Sequence, residues 1–169
     1  MEIEDFYGDR VAKRSGVPLM NHITEGTKLL EYLGATKETI RAYRLHPIYQ
    51  NDSDLFQNYL DLVYERTVVS VYIMEYRNIA NASLSNNVFR DHSQDWSPLR
   101  FQVPIKLSPI DEVNDMLIAD KCQNYKDFLK YHYGTHLRSD ELDFYFTMWL
   151  KALRVSDSAF NTYREVMSN

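Results

Sequence analysis

Apolar residues recur along this chain at helical spacing, and the polar residues that break the pattern carry most of its chemical information. Ile3, Phe6, Tyr7 and Val11 predict a first helix over 2–13. Leu19, His22, Gly26, Leu29, Leu30 and Leu33 predict a second over 18–33, stopped by Gly34. Thr36 caps a third that runs to about His46, where Pro47 pushes the preceding residue away from the helical region and turns the chain. Asn51 to Ser53 is a polar turn suited to capping a fourth helix with Leu55, Tyr59, Leu62 and Val63, and 67–84 reads as a further helix or its continuation. The β-branched run Thr67-Val68-Val69 argues against a seamless join. Arg77, Asn78 and Asn81 read as a buried polar clasp or a site wall. The segment 86–108, with Asp91, His92, Asp95 and prolines at 98 and 104, predicts an irregular excursion. Ser139 and Ser156 cap two C-terminal helices over 139–169. No stretch alternates as a strand would, so the predicted fold is all-α, one helical domain over 1–169.

The most informative stretch is 112–128, a helix that Gly134 ends beyond about His132. Val113, Leu117, Asp120 and Asn124 follow at four-three-four spacing, so they share one side of that helix. The buried stripe therefore ends in a carboxylate and a carboxamide. An unpaired carboxylate is costly to bury, so Asp120 requires a cation, a metal or several donors. The plain reading is a structural buttress. Against it stand His22 and His46, far upstream yet also on or beside apolar helical faces.

Composition narrows the classes. At 169 residues, 44% hydrophobic and 25% charged, the chain suits one domain with a substantial core. Its net charge of −5 argues against nucleic-acid binding through phosphate neutralisation. No apolar run approaches the ~20 residues of a membrane span, and no secretory leader pattern opens the sequence, so a soluble protein is expected. The single cysteine, Cys122, makes no internal disulfide and fits the cytoplasm, as a packed group or a reactive thiol. Thirteen tyrosines serve packing or a protein-binding surface. His132 and His136 have ligand spacing, but the intervening Gly134 favours a solvated helix end.

Three pieces stand in order: Lys13-Arg14-Ser15-Gly16-x-Pro18-x-x-x-His22, then Leu45-His46, then Ala119-Asp120-Lys121-x-x-Asn124. Together they resemble the HD-domain phosphohydrolases, in particular the RelA/SpoT-type guanosine tetraphosphate hydrolases, whose pattern is R-K-S-G-x-P-Y-x-x-H, L-H-D-x-x-E-D and A-D-R-x-x-N. The chain is also similar to small proteins of this kind associated with bacteriophages. The resemblance implies an HD-like helical bundle in which two histidines and two aspartates hold a divalent metal, commonly manganese. It places His22, His46 and Asp120 as metal ligands, with Lys13, Arg14, Ser15 and Asn124 at the nucleotide.

The departures carry as much weight. Pro47 stands where the family has the Asp of its His-Asp pair, and Gln50 and Asn51 stand where it has the Glu-Asp pair that handles the attacking water. Neither amide acts as a base near neutral pH, and general acid-base catalysis is typically worth ~10²–10⁴ in rate. The expectation is therefore a remnant metal site with no catalytic residue and no resident cofactor. Such a protein would bind a guanine nucleotide such as (p)ppGpp, or a protein partner, in the host bacterial cytoplasm. The alternative is an active phosphohydrolase using Mn²⁺ or another divalent metal, with Asp52 or Asp54 replacing the missing carboxylate.

Overall fold

The computed structural model describes residues 1–13, 15–85 and 105–169. The fold is all-α: α1 Ile3–Tyr7, α2 Met20–Tyr32, α3 Lys37–Leu45, a short 3₁₀ turn His46–Tyr49, α4 Asp52–Tyr64, α5 Thr67–Ser85, α6 Asp111–Tyr131, α7 Ser139–Ala152 and α8 Asp157–Ser168. Apart from an isolated antiparallel bridge between Val11 and Pro18, the described residues hold no β structure. No described helix is long and apolar enough to cross a membrane. The expected excursion at 86–108 falls outside the described residues as far as 104.

Helix α6 is the axis of the bundle. It packs against α2, α3, α5, α7 and α8. Eleven of its 21 residues are buried, so it is enclosed on several sides. Val113 and Leu117 are fully buried and meet a core built from Ile23, Leu29, Tyr43, Ile73 and Trp149. Truncating such a leucine to alanine typically costs ~2–5 kcal/mol. One turn further along the same stripe comes Asp120, buried at 5% exposure, and α6 also buries Lys121, Gln123 and Lys126. Four buried polar side chains on one central helix demand partners, and those partners define the site.

Caps fix most helix starts as the side-chain chemistry predicts. Thr36 Oγ1 accepts from the Thr39 amide at 3.1 Å, Asn51 Oδ1 from the Asp54 amide at 2.8 Å, and Ser156 Oγ from the Ala159 amide at 3.2 Å. Ser139 differs: it is the first helical residue, and its hydroxyl donates to the His136 carbonyl at 2.8 Å. Helix α1 is also shorter than its apolar spacing predicts. Gly8 takes φ 51 and the Arg10 guanidinium folds back onto the Phe6 and Tyr7 carbonyls, leaving Val11 to pair with Pro18. Helices α4 and α5 are separate, with Glu65 extended between them. His46 does not leave the helical region before Pro47. It keeps φ −53 and ψ −36 because the chain tightens into a 3₁₀ turn, where a proline at the second position loses no hydrogen bond.

Candidate metal centre

Three elements bring the site together. His22 lies on the first turn of α2, His46 opens the 3₁₀ turn after α3, and Asp120 lies midway along α6, against which both α2 and α3 pack. One ligand atom from each lies within 4.8 Å of the others. The imidazole centroids are 5.5 Å apart at 72°, and His22 Nε2 stands 3.5 Å from Asp120 Oδ1.

Hydrogen bonding assigns the ring nitrogens. His46 Nδ1 lies 2.5 Å from the Tyr43 carbonyl, which only accepts, so Nδ1 carries the hydrogen and Nε2 keeps its lone pair. Burial, reinforced by the neighbouring His22, pushes the His46 pKa down to about 3, so this imidazole is neutral. His22 Nδ1 lies 2.7 Å from Gln123 Oε1, and its Nε2 faces Asp120 and, at 3.4 Å, the Tyr43 hydroxyl. Burial pulls the Asp120 carboxyl upward, but the Lys121 ammonium outweighs it and holds the group well below the usual carboxylate range. Asp120 accepts from Lys121 Nζ at 2.8 Å and from Asn124 Nδ2 at 2.9 Å.

Two imidazole nitrogens and a carboxylate oxygen form a donor set that suits a first-row divalent ion. Bonds of about 2.0–2.2 Å keep any two ligands within roughly 4.4 Å of each other, so a spread of 4.8 Å would close by a few tenths of an ångström around an ion. The residues therefore fit a metal.

The cluster lines a cavity of about 670 Å³. Ser15 and Asn124 line it. Lys13 is exposed and does not line it, and Arg14 lies outside the described residues. Pro47, Gln50 and Asn51 line the cavity. Asp54 does too, but Asn51 Nδ2 holds its carboxylate, while Asp52 is exposed and paired with Arg77. Neither aspartate joins the three-ligand cluster.

The polar clasp involves Asn81 and Gln50. Gln50 Nε2 donates to Asn81 Oδ1 at 2.5 Å, and Asn81 Nδ2 donates to the Gln50 carbonyl at 3.0 Å. This reciprocal pair leaves Gln50 Oε1 buried with no partner among the described residues, an acceptor on a wall of the site cavity. Cys122 is packed, and burial pushes its thiol up to about 12, which makes it unreactive. His136 Nδ1 accepts from the Arg138 amide at 3.0 Å, and His132 and His136 border a separate, smaller pocket.

The sequence pattern misses several residues that shape the site: Tyr43, Tyr76, Gln123, Glu25 and Asp127. Glu25, one turn from His22 and next to Gly26, is the visible hint, a carboxylate at the edge of an apolar stripe. Comparison with protein-family models, with curated proteins and with solved structures returned no match, so the reading of this centre rests on its own residues and geometry.

Proposed function

We propose that this chain is a catalytically degenerate HD-like protein that uses a divalent ion to hold a phosphorylated nucleotide of the (p)ppGpp class without hydrolysing it. One observation supports this above the rest: a ligand atom from each of His22, His46 and Asp120 lies within 4.8 Å of the others on the lining of a nucleotide-sized cavity. A cation is the natural occupant of such a point. A metal held by His22, His46 and Asp120 would supply Lewis acidity and a counter-charge for phosphate. The walls add Arg10 and Lys121 as cations and Asp54 and Asp127 as anions, so the balance favours an anionic ligand only once the ion is in place.

Inactivity follows from the neighbours. The positions that would handle the attacking water are Gln50, whose amide is clasped by Asn81, and Asn51, which caps α4. Neither takes up a proton near neutral pH. The proposed setting in the cytoplasm of a phage-infected bacterium rests on the resemblance alone.

A second reading, a working phosphohydrolase, draws support from the ligand count: a three-ligand ion keeps positions open for water. Calorimetry with Mn²⁺ and then guanosine tetraphosphate, beside a phosphate-release assay, separates the two. Manganese-dependent nucleotide binding without release supports the binding reading, whereas sustained release supports the hydrolase. Binding of neither ligand removes both. That outcome would leave a protein-partner role, for which the exposed Phe56, Leu60, Val63 and Tyr64 of α4 are the surface to test.

A further inference from the structure

Behind His22, on the side away from Asp120, two carboxylates, a lysine and an amide form a closed ring. Gln123 is buried at 1% exposure, and its Nε2 lies 3.0 Å from Glu25 Oε2 and 2.8 Å from Asp127 Oδ2. Lys126 Nζ closes the other side, 3.0 Å from Glu25 Oε1 and 2.9 Å from Asp127 Oδ1. Carboxylates only accept, so they take the nitrogen end of the Gln123 amide and use both its hydrogens. Only Oε1 remains for His22, 2.7 Å from Nδ1. An amide oxygen also only accepts, so Nδ1 must carry the imidazole hydrogen. A flipped amide would set its oxygen against two carboxylates and break two charge-assisted hydrogen bonds.

We infer that Gln123 is a positioning residue: the Glu25–Lys126–Asp127 ring orients its amide, which fixes His22 in the Nδ1–H tautomer and keeps Nε2 free to ligate. The ring ties α2, which carries His22, to α6, which carries Asp120, so one network sets both the tautomer and the spacing of two ligands. The tautomer does not depend on the metal reading. Only its effect on affinity does.

Long-range ¹H–¹⁵N spectra of histidine-labelled, metal-free protein at pH 8, where an ordinary imidazole is neutral, read the tautomer directly. The expected wild-type spectrum has His22 Nδ1 protonated and Nε2 bare. Gln123→Met, which removes the amide but keeps the chain length, is expected to mix the two tautomers and weaken Mn²⁺ binding about 10–100-fold, the usual effect of losing the partner of a metal-bound histidine. A wild-type spectrum with Nε2 protonated overturns the inference, whether or not the variant folds. A Gln123→Met spectrum still purely Nδ1–H overturns it as well, because the amide would then be packing and nothing more. A locked tautomer in a wild-type protein that binds no Mn²⁺ leaves the inference standing and removes the metal reading.

Discussion

A Cβ added to Gly26 would stand 2.0 Å from the Tyr43 hydroxyl oxygen. The missing side chain on α2 is the gap into which the Tyr43 ring, from α3, is seated. That tyrosine touches both imidazoles: its hydroxyl lies 3.4 Å from His22 Nε2 and its carbonyl lies 2.5 Å from His46 Nδ1. Alanine is the better helix former by about 1 kcal/mol, but forcing a methyl into a filled core costs roughly 1–3 kcal/mol and a shifted aromatic ring sits at the high end. Gly26→Ala is therefore expected to lose about 1–2 kcal/mol of stability in urea unfolding, with weaker Mn²⁺ binding in parallel. An unchanged unfolding midpoint would show that Tyr43 has room to move.

Lys121 is the standing counter-ion of Asp120. Their atoms are 2.8 Å apart, both side chains are 7% exposed, and the ammonium lies over the Trp149 ring. Removing one member of a buried pair typically costs 3–5 kcal/mol, roughly the loss expected for Lys121→Met in metal-free buffer. A divalent ion would replace the missing charge, so Mn²⁺ is expected to raise the melting temperature of the variant more than that of the wild type, by the usual linkage of ligand and stability. Equal shifts would mean that the ion does not bind beside Asp120.

The all-α fold was readable in the sequence because its stripes are long and its punctuation is chemical. Thr36, Asn51 and Ser156 cap where their side chains predict, and the Val113, Leu117, Asp120, Asn124 spacing correctly turns a carboxylate inward. The convergence of His22, His46 and Asp120 came from motif order, since nothing in local spacing relates positions so far apart in the chain. The ring around Gln123 was not readable. Its four members lie on two helices, and apart from Glu25 at the edge of an apolar stripe each looks like an ordinary surface residue of an amphipathic helix. The early end of α1 was hidden for a different reason: apolar spacing continues through Val11, while Gly8 and the back-folded Arg10 decide the geometry.

Asp115 gives the chain a pH signature away from the site. Burial, then repulsion from Glu112 and Asp111, raises its pKa above the ordinary value. The folded state therefore binds this proton more tightly than the unfolded state, and stability falls as pH rises from the unfolded value of 3.8 through the folded one. Asp115→Asn is expected to stabilise the protein at pH 7 by no more than about 0.5 kcal/mol, because the group is only half-buried. The gain should vanish below pH 3.8, where the carboxyl is protonated in both states. Thermal melts of both proteins across that range check the sign, and a variant less stable at pH 7 would contradict it.

Pro47 sits beside His46 and lines the cavity, so a carboxylate placed there has access to the metal point. Proline offers no ligand atom and holds the backbone of the 3₁₀ turn, and losing that restraint costs about 0.4–1 kcal/mol. A fourth protein ligand, anionic and next to a cation, outweighs this loss once metal is present. Pro47→Asp is expected to bind Mn²⁺ more tightly than the wild type while melting slightly lower without it. It should still release no phosphate from guanosine tetraphosphate, because Gln50 remains clasped by Asn81 and Asn51 remains a cap, and neither takes a proton from water. Turnover in the single variant would mean that a fourth ligand is enough for hydrolysis; tighter metal without turnover would assign the lack of it to the amides.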